Sequence, residues 1–177
     1  FWTHFVTQSA GTTFALLWGV PLLVGAQGLT RVEASYILTV LVVTNALLGL
    51  VFGILTSRWP HRRAALVMTV VVLNATSIAG VCLMAHPVGQ IGLVLFAVLI
   101  GTGGPASMIA FDFSRSYVDA RELGAANGFI NTGGFLASLT MMFLVGVVLD
   151  AVQAQTHGDL YVVEGFRWAF ASQLLVV

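Results

Sequence analysis

The chain has 177 residues, of which 58% are hydrophobic and only 8% charged, and its mean hydropathy is +0.98. Soluble domains are about one-quarter charged, so this composition excludes an ordinary water-soluble domain and places the chain with membrane proteins. Seven Arg and no Lys balance seven acidic residues to a formal net charge of zero, which gives no reason to expect nucleic acid or an acidic partner protein.

A helix that crosses the hydrocarbon core needs about 20 apolar residues. Stretches free of Asp, Glu and Arg predict spans at about 1–25, 32–56, 64–85, 89–111, 123–149 and 165–177. The third and fourth are divided at His86-Pro87-Val88-Gly89-Gln90, because Pro and Gly beside polar residues make a turn. The sixth has 13 residues, about 20 Å of helix, too short to cross. The chain starts at Phe1 and stops in an apolar run. It therefore reads as a fragment, expected to form a single transmembrane domain over 1–177, and without a signal peptide because residues 1–4 lack a basic start and the first apolar run is too long for one. No alternating strand pattern appears, and backbone groups in lipid must be bonded within their own segment, so the fold class expected is all-α, a polytopic membrane helix bundle. Cys82 is the only cysteine. It cannot form an intrachain disulfide, no Cys/His cluster has metal-ligand spacing, and no cofactor is expected.

The charge sits in loops. Arg58, Arg62 and Arg63, then Arg115 and Arg121 in a 112–122 loop, fall on one side if the spans alternate; Arg31 and Arg167 fall on the other. Basic residues resist translocation, so the five-to-two split of arginines predicts that residues 58–63 and 113–122 face the cytoplasm. Residues 26–31, 86–89 and 151–163 then face outward, and the first helix enters from the cytoplasm. The localisation expected is multi-pass in the cell membrane.

"GILTSRWPHRR" at 53–63 resembles the loop between the second and third helices of each half of major facilitator superfamily transporters, Gly-x-Leu-x-Asp-Arg-x-Gly-Arg-Arg. Gly53, Leu55, Arg58 and Arg62 match, while Ser57 replaces the Asp, Pro60 the Gly and His61 an Arg. These departures resemble the degenerate second-half copies of the motif. "RELGAANGFINTGGFLASL" at 121–139 looks like the start of the family's eleventh helix. The resemblance implies the C-terminal half, helices seven to eleven and part of twelve, built from two inverted three-helix repeats. It implies secondary active transport by alternating access, with a missing N-terminal six-helix half as partner, a small-molecule solute as substrate and a coupling proton or ion. It also implies gating by the cytoplasmic loops, for which Gly53, Arg58, Arg62, Asp112, Arg115 and Arg121 are the candidates.

No charge lies deep in a span, which argues against a buried proton relay. Neutral polar groups remain. His4, Gln8 and Thr12 recur at i, i+4 and i+8 and share a helix face, with Trp18 close to it. Asn127, Asn131 and Ser138 form a second stripe. Asn45 and Thr102 sit in the second and fourth spans, and Asn74 and Ser77 in the third. Such groups either bond between helices or line a cavity. The resemblance puts Gln8, Thr12, Trp18, Asn45, Thr102 and Asn131 in a substrate cavity. "GTGGP" at 101–105 lacks the lysine and strand of a phosphate loop and reads as a kink or close packing point. Gly124 and Gly128 form a small-x-x-x-small pair suited to helix contact. No metalloprotease or Ser/His arrangement is present, so an enzyme is not expected. A membrane-embedded enzyme or a structural or receptor-like bundle is the alternative to a transporter.

Overall fold

The computed structural model describes residues 1–156, 159 and 161–177. The outward placement expected for 151–163 therefore falls partly outside the described residues, at positions 157, 158 and 160. The described residues hold helices and no strand. They are α1 (Trp2–Thr13), continued by π-helical turns at Phe14–Trp18 and Pro21–Ala26, then α2 (Arg31–Arg58), α3 (Arg63–Cys82), α4 (Gln90–Gly101), α5 (Gly103–Tyr117), α6 (Leu123–Thr156) and α7 (Val163–Ala171). Among the described residues, four helical stretches are long and apolar enough to cross a membrane: Arg31–Arg58, Pro60–Cys82, Gln90–Tyr117 and Leu123–Gln155. An all-helical, membrane-associated protein is thus the class that composition and fold define together.

Local chemistry explains the boundaries. Thr30 caps α2 in a reciprocal box: Glu33 N–H donates to Thr30 Oγ1 at 3.2 Å, and Thr30 N–H donates to Glu33 Oε2 at 2.8 Å. The preceding turn uses Gly28 at φ 71°, a left-handed conformation that glycine adopts without steric cost. In α1, Pro21 lacks an N–H and its ring crowds the carbonyl four residues back. The helix there widens: Gly19 N–H bonds the Phe14 carbonyl and Gln27 N–H the Leu22 carbonyl, both at π spacing. Pro105 has the same effect on Gly101, and the helix breaks at Thr102 between α4 and α5.

Two boundaries differ from the sequence-based expectation. Helix α5 runs on to Tyr117, so Asp112 and Arg115 lie on its last turns, not in a 112–122 loop. Charged side chains at a helix end can reach the interface, so charge alone does not end the helix. Helix α6 runs to Thr156, one turn and more past Leu149, because nothing between Asp150 and Gln155 breaks a helix.

Helix α1 is central, flanked by α5 and α6; α2 packs on α4 and α5, and α3 and α7 close the other side. The main core collects Phe14, Leu22 and Leu23 from α1 with Phe96, Phe166 and Phe170, all buried. Phe14 meets Phe96 edge-on at 5.3 Å between ring centres, and Phe166 meets Phe170 at 5.9 Å. The outward faces of α2, α3 and α6 carry exposed Leu, Val, Phe and Met, as surfaces against lipid do.

Candidate functional site

The first half of α1 is polar where the second half is apolar. Its face at His4 and Gln8 lies against α5 and α6. The buried Ser107 organises the contact. Its hydroxyl lies 2.8 Å from Gln8 Oε1 and 2.6 Å from the Gly104 carbonyl, and its own carbonyl accepts from His4 Nδ1 at 3.0 Å. The His4 proton is therefore on Nδ1 in this arrangement. Asn131, on α6, lies against the same ring. Glycines permit this closeness. A Cβ on Gly103 would fall on the Thr7 carbonyl, one on Gly104 on the Asn45 amide, and one on Gly134 on the His4 ring. "GTGGP" is thus both the break in the helix and a packing point.

Beside this contact an open cleft of about 510 Å³ is lined by Gln8, Thr12, Asn45, Gly104, Phe135 and others from α1, α2, α5 and α6. Three expected cavity residues, Gln8, Thr12 and Asn45, share it. Three do not. Trp18 turns to α6 and donates from Nε1 to the Met142 carbonyl at 2.8 Å. Thr102 is buried and returns its hydroxyl to the Leu99 carbonyl at 2.6 Å. Asn131 is exposed and sits at the His4 edge, not in the cleft.

A second cleft, of about 390 Å³, follows the same α2–α5 groove toward the arginine-rich end. Gly49, Gly53 and Thr56 of α2 face Pro105, Asp112 and Arg115 of α5 across it. Arg115 pairs with Asp112 at 3.1 Å on the same helix; with Arg115 largely exposed, the pair is worth little. Gly53, Asp112 and Arg115 are thus brought together. Arg58 is not: it lies over the Trp59 ring at 5.3 Å. Arg62 is exposed at the turn before α3. The Arg121 backbone N–H bonds Asp119 Oδ1 at 3.0 Å, in the turn between α5 and α6.

Sequence reading missed the residues that join the ends. Arg63 donates from Nη1 to Ser116 Oγ at 2.7 Å and to the Asp112 carbonyl at 3.3 Å, tying the start of α3 to the negative end of α5. At the opposite end Arg167 Nε donates to the Cys82 carbonyl at 2.9 Å, the same device at the end of α3. Gln27 accepts from Val88 N–H at 2.8 Å and holds the 86–89 turn to α1. Ser107 was also missed, since a single Ser in an apolar helix gives no signal. Among the described residues Gly124 and Gly128 meet no other helix: both are exposed, and a Cβ on either would have nothing within 4 Å. Gly133 and Gly134 make the close contact instead, because the face that α6 turns to α1 begins one turn later. Asn127 bonds Ser114 at 2.7 Å, and Ser138 returns its hydroxyl to Gly134.

No family model matches the chain, and no curated protein or solved structure matches it either.

Proposed function

We propose that this chain is one six-helix half of a secondary active transporter of the major facilitator type, multi-pass in the cell membrane, carrying a small solute by alternating access with a second half. One observation carries the reading. Gln8, Thr12 and Asn45, from two helices, line one open cleft. An amide in lipid without a partner is costly, so amides opening on a shared cleft favour a wet, solute-accessible space there. The cleft lies on the α2–α5 side, whose groove continues to Asp112 and Arg115. The resemblance of the 53–63 loop supports the same assignment. The arrangement holds no deep charge, which suits a neutral solute on this side of the pathway.

The test is solute binding and transport by the full-length protein carrying Asn45→Ala or Gln8→Ala. Loss of one hydrogen bond of about 1–3 kcal/mol raises the solute dissociation constant roughly five- to a hundredfold. Unchanged binding and transport in both variants would remove the cavity assignment. Orientation is tested separately in intact cells, with single cysteines at His61 or His86 on a Cys82→Ser background. The arginine split predicts protection at position 61 and external labelling at 86; the reverse pattern inverts the topology.

A further inference from the structure

We infer that the groove between the end of α2 and the start of α3 is a binding site for the headgroup of an anionic phospholipid. The groove, about 250 Å³, is lined by Leu55 and Trp59 on one side and by Arg62, Arg63, Leu66 and Thr69 on the other. Its two ends differ in chemistry. At the mouth are two guanidiniums and an indole; further in, the wall is Leu55, Ala65 and Leu66. From Arg63 to Thr69 the helix rises about 9 Å, which takes the groove from headgroup depth into the acyl region. Ala65 and Thr69 are exposed, so the groove opens sideways toward lipid. Thr69 returns its hydroxyl to the Ala65 carbonyl at 3.0 Å, which leaves the inner wall with no free donor.

The charge at the mouth is uncompensated. No Asp or Glu occurs between Glu33 and Asp112, and Asp112 is paired with Arg115. Arg63 is committed to Ser116 and the Asp112 carbonyl, and Arg58 stacks on Trp59. Arg62 is exposed; its backbone N–H bonds the Trp59 carbonyl at 2.9 Å, but its side chain has no hydrogen-bonding or ionic partner among the described residues, so it is the guanidinium free to take a phosphate. A planar guanidinium suits a phosphodiester bidentately. Trp59 sits where an indole anchors at the membrane interface. A basic pocket between helices at headgroup depth, continued by an apolar wall, fits a lipid better than a free phosphate, which has no use for Leu55 and Leu66. The site stands on the membrane-spanning helices alone and does not depend on transport.

The experiment is native mass spectrometry of the purified full-length protein in detergent, mixed with equal amounts of phosphatidylglycerol and phosphatidylcholine of the same acyl chains. The expected result is preferential retention of phosphatidylglycerol. Arg62→Gln should lower that retention about fivefold, Arg62→Lys less, and Arg31→Gln, at the other end of the bundle, not at all. Soluble glycerol phosphate at the same concentration should fail to displace the lipid. Equal retention of the two lipids, an unaffected Arg62→Gln, an equal loss in Arg31→Gln, or displacement by glycerol phosphate would each overturn the site. The last outcome would reassign the groove to free phosphate.

Discussion

The two halves of the first helix solve different problems. From Trp2 to Thr13 the helix is α-helical and carries His4, Thr7, Ser9 and Thr13 buried. From Phe14 to Ala26 it is mostly π-helical and buries Phe14, Leu22, Leu23 and Ala26. The polar half is approached by backbone, through Gly103, Gly133 and Gly134. The apolar half is approached by rings, Phe96 on Phe14 and Phe166 near Trp18. At His4 the bare Gly134 leaves space for the ring, which reaches the Ser107 carbonyl at 3.0 Å, while Thr7 returns its hydroxyl to the Thr3 carbonyl of its own helix at 2.7 Å. Apolar packing is best served by large side chains that fill space. The open cleft lies along the polar half, lined there by Gln8, Gly11 and Thr12.

The contrast is broken most severely by removing the rings. Phe14→Ala should destabilise the bundle by about 3–5 kcal/mol, since Phe14 is fully buried and its neighbours are large. Thermal unfolding in detergent measures this, and a small shift would mean that the π-helical half is loosely packed. The polar half should be broken by adding bulk instead. Gly103→Val pushes a side chain onto the Thr7 carbonyl, a backbone group that cannot turn aside, at a cost of about 1–3 kcal/mol. Gly49→Ala, where nothing lies within 4 Å, is the paired control and should leave the melting temperature near that of the parent.

Deleting polarity is expected to do less to stability. In Gln8→Ala, Ser107 keeps the Gly104 carbonyl as an acceptor, so the loss should stay near 1 kcal/mol. A weakened solute affinity with little change in melting places Gln8 at the cleft; a large melting shift with normal affinity makes it interhelical glue. The smallest effects belong to the helix-end arginines. Arg63→Gln and Arg167→Gln each remove a donor from a helix C-terminus and should cost about 0.3–1 kcal/mol. Arg63→Gln should lose more, because it also releases Ser116. Equal shifts would show that the Ser116 bond adds nothing.

Much of this was legible in the residues, and the reasons are local. Pro105 and the His86–Gln90 turn mark their breaks because proline removes a donor and crowds the preceding turn. The Thr30–Glu33 capping box that starts α2 was not among the expectations, although its spacing is local. The run of arginines at 58–63 marks a helix end because charge does not stay at bilayer depth. Hydropathy gives the helices and the membrane class, since length and apolarity are sums over a segment. None of these signals depends on a distant residue.

The rotation of each helix about its own axis is different. In water an apolar stripe marks the inner face of a helix, but here both the lipid face and the core face are apolar, and the stripe disappears. The i, i+4 spacing of His4, Gln8 and Thr12 put them on one face without saying which helix that face meets. Only the packing of α1 on α5 gave Gln8 to Ser107 and left Thr12 with Asn45 at the cleft. Only the packing of α1 on α6 turned Trp18 to the Met142 carbonyl and chose Gly133 and Gly134 over Gly124 and Gly128. Likewise the sequence placed three arginines in one turn, but the approach of α3 to α5 decided that Arg63 holds the helix end while Arg62 stays free. Composition and local breakers set how many helices form and where they end; the pairing of polar groups followed from which helices came close enough to share a hydrogen bond.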